Sequence, residues 1–336
     1  MLGLGISSTA DMGWAASTKE NVLLSAFQSR ISADGGSVED VPCLSLDIDL
    51  LLSESSSFTT GLLEFYPGAA AAYSLRQLRR SVSPYAIRVR KSGGAEQDIG
   101  FNSNGELDTN ALLDFADGGD AWVTTWYDQS SNGNDAEQST EDSQPQIVSS
   151  GSLVTENGKP ALQFDGVNDG LNCSTDLRAS TGASTVIMTR NMDIQSEFSN
   201  VFSFYKVQRH VVTIIGDTVY NNLSIGTNET AGEYIKFPSV DVTGQHLFFS
   251  TWDGSSQTGG VDDVKLYSDS SAQSISAIIG SFATTVSGTN SIGYRHDTNS
   301  QFGNGTIQEV IVYLTDESSN RTGIESNIND FYSIYS

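Results

Sequence analysis

Downstream of residue 184 the chain is a procession of short runs rich in Val, Ile, Phe, Tyr and Thr, each cut off by a cluster of Gly, Asn, Asp and Ser. Such runs occupy residues 185–189, 201–205, 210–215, 245–252, 264–267 and 291–295, and the last and longest covers 302–314. β-Branched and aromatic residues suit a pleated surface, and the punctuating residues supply turns through their own side chain to backbone hydrogen bonds. The spacing is that of an antiparallel sandwich. A short helix is expected to follow, from Ser319 to about Tyr332. Hydrophobic residues make up 38% of the 336, with 15 Phe and 12 Tyr, enough for a real core.

Upstream, one stretch stands out: Thr124-Thr125-Trp126-Tyr127-Asp128-Gln129-Ser130-Ser131-Asn132-Gly133-Asn134-Asp135-Ala136. It reads as a strand driving into a turn dense in polar residues. Gly158-Lys159-Pro160-Ala161-Leu162-Gln163-Phe164-Asp165-Gly166-Val167-Asn168-Asp169 repeats the pattern. Residues 69–80, opening with four alanines, have high helix propensity. Residues 86–90 alternate as a strand should, 95–101 lead to a turn at 102–105, and 108–115 read as a short capped helix. Near the N-terminus, Ser17-Thr18-Lys19-Glu20 has the form of a capping box before apolar positions at helical spacing, and Gly35-Gly36 ends that segment. The expected organisation is a helical docking arm over residues 1–60 and one β-domain over 61–336.

The balance of 17 basic against 41 acidic residues gives a net charge of −24, which repels nucleic acid. No apolar run is long enough to span a bilayer, so no membrane insertion is expected. The start lacks a cationic region followed by a long apolar core and reads as an ordinary mature terminus. Cys43 and Cys173 make neither a metal-ligand spacing nor a disulfide framework.

The motifs from Ala72 to Gly151, including the Trp126-Tyr127-Asp128 turn and Gln144-Pro145-Gln146-Ile147-Val148, resemble in their order the catalytic domain of the α-L-arabinofuranosidase B family. Related domains occur in bacteriophage virion proteins, and the pattern from Ala26 to Gly36 resembles a helical opening of phage structural proteins. The run 302–314 is similar to the closing strand of a laminin-G-like fold. This resemblance implies a mainly β protein: an antiparallel β-sandwich of the concanavalin/laminin-G-like jelly-roll type with a small helical N-terminal region. Enzymes of that family carry their nucleophilic Glu in a Gly-Asn-Ala-Glu-like segment near two adjacent cysteines. Neither is present here, so no residue carries over as nucleophile or acid.

The function expected from this reading is a non-enzymatic bacteriophage virion protein, assembled in the bacterial host cytoplasm. Its arm would dock on other virion proteins, its jelly roll would display a glycan-binding surface, and it would form homo-oligomers. Two alternatives remain: a glycan-active hydrolase, arabinofuranosidase-like or a tail depolymerase, and a structural component without ligand. Candidate ligand-rim residues are Trp126, Tyr127 and Asp128 at the first turn and Tyr294, Arg295 and His296 at a later one. The aromatics can stack on sugars or belong to the core, and the carboxylate can bind a ligand or accept backbone N–H groups. No cofactor is expected apart from calcium, for which Asp165 and Asp169 are the candidate oxygen ligands.

Overall fold

The computed structural model describes residues 61–80, 83–173, 183–192, 199–203, 209–215, 218–224, 234–237, 241, 243–252, 264–274, 277–279, 290–294 and 302–336. They belong to one unit, Thr59–Ser336. The helical arm expected over 1–60 lies outside the described residues.

Three helices are described: α1 (Leu62–Phe65), α2 (Thr109–Ala116) and α3 (Arg321–Tyr332). The principal strands of the first half are β1 (Ala69–Ser74), β2 (Tyr85–Lys91), β3 (Glu96–Gly100), β4 (Ala121–Trp126), β5 (Ala136–Glu137), β6 (Gln146–Ser149), β7 (Leu162–Asp165) and β8 (Leu171–Cys173). Those of the second are β9 (Ser184–Met192), β10 (Ser199–Ser203), β11 (Arg209–Ile215), β12 (Thr218–Ser224), β13 (Tyr234–Phe237), β14 (His246–Trp252), β15 (Val264–Ser268), β16 (Ala277–Ile279), β17 (Asn290–Ile292) and β18 (Asn304–Tyr313).

All their pairings are antiparallel. One sheet is organised on β18, which pairs with β9 along one edge and with β1 and β7, end to end, along the other. β9 continues to β14 and β14 to β15. The second runs from β3 through β2 and β4 to β5, then through β8 and β17 to the meander β10–β11–β12–β13–β16. A short contact of β7 with β6 joins the two, because β6 also pairs with β4. The mainly β sandwich expected from the sequence is the fold observed.

The core lies on both faces of the β18 sheet. Tyr73, Val186, Met188, Phe248, Val310 and Val312 meet Ile87, Val123 and Trp126 of the other sheet in one cluster. Their chain neighbours Ala72, Ile187, Phe249, Ile311 and Tyr313 point the other way, into a second cluster with Leu62, Leu63, Ile324, Ile328 and Tyr332 of α1 and α3. A sheet covered on both sides calls for strands that are apolar over most of their length, and β18 is buried continuously from Thr306 to Tyr313, its polar Gln308 and Glu309 included. Each fully buried Leu, Ile or Phe contributes about 1.5–3 kcal/mol.

One sequence expectation is corrected. The alanine-rich run at residue 69 forms β1, not a helix, and five of its six residues are buried. Helix propensity is a weak prior. Here the segment lies beside β18, with Ala71 in one cluster and Ala72 in the other, and that packing overrides it. The capped helix expected at 108–115 is α2, with the Asp108 carboxylate accepting from Ala111 N at 3.1 Å.

An ion pair joins β1, β18 and α3. Arg76 donates through Nε to Glu309 Oε2 (2.8 Å) and through Nη2 to Oε1 (3.1 Å), with Ser74 Oγ adding a bond at 2.7 Å. Arg76 Nη1 donates to Asn327 Oδ1 of α3 at 2.8 Å, and the guanidinium lies over the rings of Phe331 and Tyr332. The side chains of Arg76 and Glu309 are only 9% and 1% exposed, so removing one partner strands a buried charge. Arg76→Met is expected to cost about 3–5 kcal/mol. Adding Glu309→Leu should recover most of that loss, and urea unfolding of the two variants checks both statements.

Candidate functional site

β4 ends at Trp126, and the turn that follows is built against the edge of β1 that β18 does not cover. Asp128 Oδ1 accepts from Ala72 N and from Ser130 N, both at 2.8 Å. Its Oδ2 accepts from Ser130 Oγ (2.7 Å) and Asn134 N (3.0 Å). Gln129 donates its backbone N–H to Ala72 O (2.8 Å), and its side-chain amide receives Leu78 N and donates to the carbonyls of Ser74 and Arg76. Asn132 and Asn134 donate to the Ala70 carbonyl through their amides. The turn closes through Ser131 (φ 80°) and Gly133 (φ 72°), left-handed positions open to glycine and adopted with strain by serine.

The outer side of the same turn lines an open pocket of about 530 Å³, formed with Arg79, Ser83, Tyr127, Asp128, Ser131, Gly133 and Asp135. Tyr127, next along the strand from buried Trp126, is half-buried, and its hydroxyl donates to Asp98 Oδ1 at 2.7 Å. Arg88 holds Asp98 through Nη1 (3.0 Å) and Glu96 through Nε (2.6 Å). Burial, followed by the bond to Asp98, pushes the Tyr127 phenol up to about 12, so it remains a donor at neutral pH. Tyr85, 41% exposed, sets its ring 6.1 Å from that of Tyr127. Asp135 Oδ1 accepts from Asp128 N at 2.8 Å, while its Oδ2 has no hydrogen-bonding protein partner among the described residues. Burial and then the charge of Asp128 raise the Asp135 carboxyl above its ordinary value, against the pull of the Asp128 N–H.

The residues expected at a ligand rim are therefore distributed unequally. Trp126 is fully buried with its ring 5.9 Å from that of Tyr73, so it belongs to the core and not to a rim. Asp128 lines the pocket, but both oxygens are occupied by the donors of its own fold. Tyr127 is the residue of the three that presents a surface. Tyr294 is also core: its hydroxyl donates to Asn172 Oδ1 (2.5 Å), its ring stacks on Phe302, and it sits where a Cβ on Gly170 would come within 2.2 Å. Arg295 and His296 lie outside the described residues. Sequence reasoning missed Arg79, Ser83, Tyr85, Ser131 and Asp135. Of these, Ser131 and Asp135 stood in the turn motif that had been singled out, and Arg79 in the run read as a helix.

Asp165 and Asp169 close a loop on themselves. Asp165 Oδ1 accepts from the N–H groups of Val167 (2.8 Å) and Asn168 (3.1 Å), and Asp169 Oδ2 accepts from Asp165 N (3.0 Å). These oxygens face donors, which is the arrangement of a turn and not of a cation site. Among the described residues no group of three His, Cys, Asp or Glu side chains could hold a metal ion.

The chain is similar in fold to α-L-arabinofuranosidases. A GH54 α-L-arabinofuranosidase soaked with a cyclic sulfate inhibitor superposes with a TM-score of 0.53 at 17% identity, covering 77% of this chain and 62% of that one. A mutant of a GH54 enzyme soaked with 4-nitrophenyl α-L-arabinofuranoside gives 0.52 with the same identity and coverage. An arabinofuranosidase complexed with arabinofuranosyl-α-1,2-xylobiose gives 0.50. The chain thus matches less than two thirds of the length of these structures. No protein-family model and no curated protein matches it.

These neighbours correct the expectation of a non-enzymatic virion protein. The jelly roll read as a display scaffold is shared with glycoside hydrolases, none of these three is a virion component, and the glycan-active alternative fits them better. At this identity the likeness establishes the fold, a glycoside-hydrolase-like β-sandwich.

Two outcomes follow from the loop geometry. Asp128→Asn places an amide N–H against a backbone N–H and is expected to cost about 1–3 kcal/mol in urea unfolding, with Asp128→Ala costing more. Burial and then the charge of Asp165 push the Asp169 carboxyl up to about 7. A raised folded value means that the folded chain binds this proton more tightly than the unfolded one, so its contribution to stability is present below about pH 4 and is lost as pH rises to about 7. Asp169→Asn keeps an acceptor for Asp165 N, and its melting temperature should fall less steeply across that window than that of the unchanged protein.

Proposed function

We propose that this chain is a glycan-active hydrolase domain of arabinofuranosidase-like type. The observation that carries the proposal is the arabinofuranosidase-like sandwich over 77% of the chain. The fold by itself hosts several functions, so the proposal stands or falls on activity. Retaining glycosidases place two carboxyl groups about 5 Å apart, one as nucleophile and one as acid/base. In the pocket at the Tyr127 turn, Asp135 has an oxygen left for ligand or solvent, whereas Asp128 is consumed by backbone donors. A complete pair would draw its second member from residues beyond this turn.

The test is release of 4-nitrophenol by the full chain from 4-nitrophenyl α-L-arabinofuranoside and a panel of other aryl glycosides, with reducing-sugar release from polysaccharides alongside. The expected result is saturable turnover with a bell-shaped pH profile, as an acid and a base acting together produce. No release above the uncatalysed rate from any of these substrates would overturn the proposal.

A further inference from the structure

A saccharide ring has one face of C–H groups and a rim of hydroxyls that both donate and accept. A protein site for it therefore needs a flat apolar surface beside a mixed set of polar groups. The pocket at the Tyr127 turn has both. Tyr127 forms one wall, and the exposed ring of Tyr85, outside the pocket lining itself, lies 6.1 Å from the Tyr127 ring and is tilted by 41° to it. The aromatic surface is held from behind, because Tyr127 is fixed by Asp98, and Asp98 by Arg88. Ser83 Oγ bonds the backbone of Tyr85 on both sides, to its N (3.1 Å) and its O (2.9 Å), which sets the start of β2.

Opposite polar capacities face the same space. Arg79 reaches the turn only through long bonds from Nη1, to Ser130 O (3.4 Å) and Ser131 Oγ (3.3 Å). Its Nε and Nη2 make no hydrogen bond within the described structure, which leaves donors for a ligand. Asp135 Oδ2 supplies an acceptor, or a donor when protonated. A guanidinium and a carboxyl on one pocket suit neighbouring hydroxyls of a neutral ring. An anionic glycan would meet Asp128 and Asp135 locally and a net charge of −24 at long range.

We infer that Arg79, Tyr85, Tyr127 and Asp135 form a binding subsite for a neutral saccharide, with Tyr85 as the stacking surface for a ring beyond the one that fills the pocket. The substrate class this assigns is a neutral oligosaccharide or polysaccharide branch. The inference rests on the glycan-active reading but is tested by binding, not turnover, so the two can fail separately.

The experiment is calorimetric titration of the full chain with arabinofuranosyl-α-1,2-xylobiose and with a panel of neutral pentose and hexose oligosaccharides. Tyr85→Ala, Tyr85→Trp, Arg79→Met and Asp135→Asn are measured beside it. Tyr85 is exposed and its structural bonds are made by its backbone, so Tyr85→Ala should leave the melting temperature unchanged. It is expected to weaken binding roughly tenfold, while Tyr85→Trp retains it. Arg79→Met and Asp135→Asn should also weaken binding. If the unchanged protein binds none of these sugars, or binds one with an affinity that the four substitutions leave alone, the inference is overturned. Binding that depends on Tyr85 with no hydrolysis overturns only the hydrolase proposal. Hydrolysis and binding indifferent to all four substitutions overturn only the subsite.

Discussion

β1 has two hydrogen-bonding edges, and β18 satisfies only one of them. The other edge, from Ala69 to Leu78, lies in a setting where an unmet carbonyl or N–H costs more than the net worth of the bond it lacks. Among the described residues no strand pairs with that edge. The turn at 128–134 does so instead, with side chains in place of a backbone ladder: the Asp128 carboxylate for Ala72 N–H, the Gln129 amide for three groups from Ser74 to Leu78, and two asparagine amides for Ala70 O. Each such bond contributes about 1 kcal/mol net, but leaving its partner bare costs about 1–3. The density of Asp, Asn, Gln and Ser in this stretch is therefore a requirement of the edge it covers.

Tying β1 down has consequences across the sandwich. β1 carries Tyr73 inward, where its hydroxyl donates to Asn134 O and contacts Cys173 Sγ, and burial pushes that thiol up to about 12. Just beyond its end, the chain presents Arg76 to Glu309 and so fixes α3 on the outer face of the sheet. A sheet buried on both sides has no room for uncompensated charge, and a bidentate pair with Ser74, Asn327 and two aromatic rings around it meets that demand. Without the turn, both the inner cluster and the helical cover would lose a fixed reference strand.

Much of this architecture was legible in the sequence, and the parts that were not share one cause. β18 could be read within the run 302–314 because β-branched and aromatic residues dominate it, although its polar Gln308 and Glu309 gave no sign that both faces would be covered. α2 could be read because Asp108 is a local cap. The alanines of β1 misled because their local preference is helical, and what makes them a strand is a partner more than 230 residues away, Val310 to Tyr313. The pocket was hidden for the same reason. Arg79, Asp135 and the Tyr85 ring beside the pocket lie on three segments with no common pattern, and only the fold brings them together. Trp126 was ambiguous as long as its direction was unknown, and strand alternation resolves it by sending Trp126 inward and Tyr127 outward.

That alternation makes one short stretch serve two purposes. On its inner side, Trp126 fills the core and Asp128 holds β1. On its outer side, Tyr127 and Asp135 line a pocket whose turn wall is organised on Asp128, the same carboxylate that accepts from Ala72 N of β1. Side chains already tied by hydrogen bonds lower the ordering cost of any ligand that enters. The arrangement also separates the two purposes by residue: Asp128 is bound up in the fold, whereas the Tyr85 ring lies outside the tie and Arg79 reaches the turn only through two long bonds.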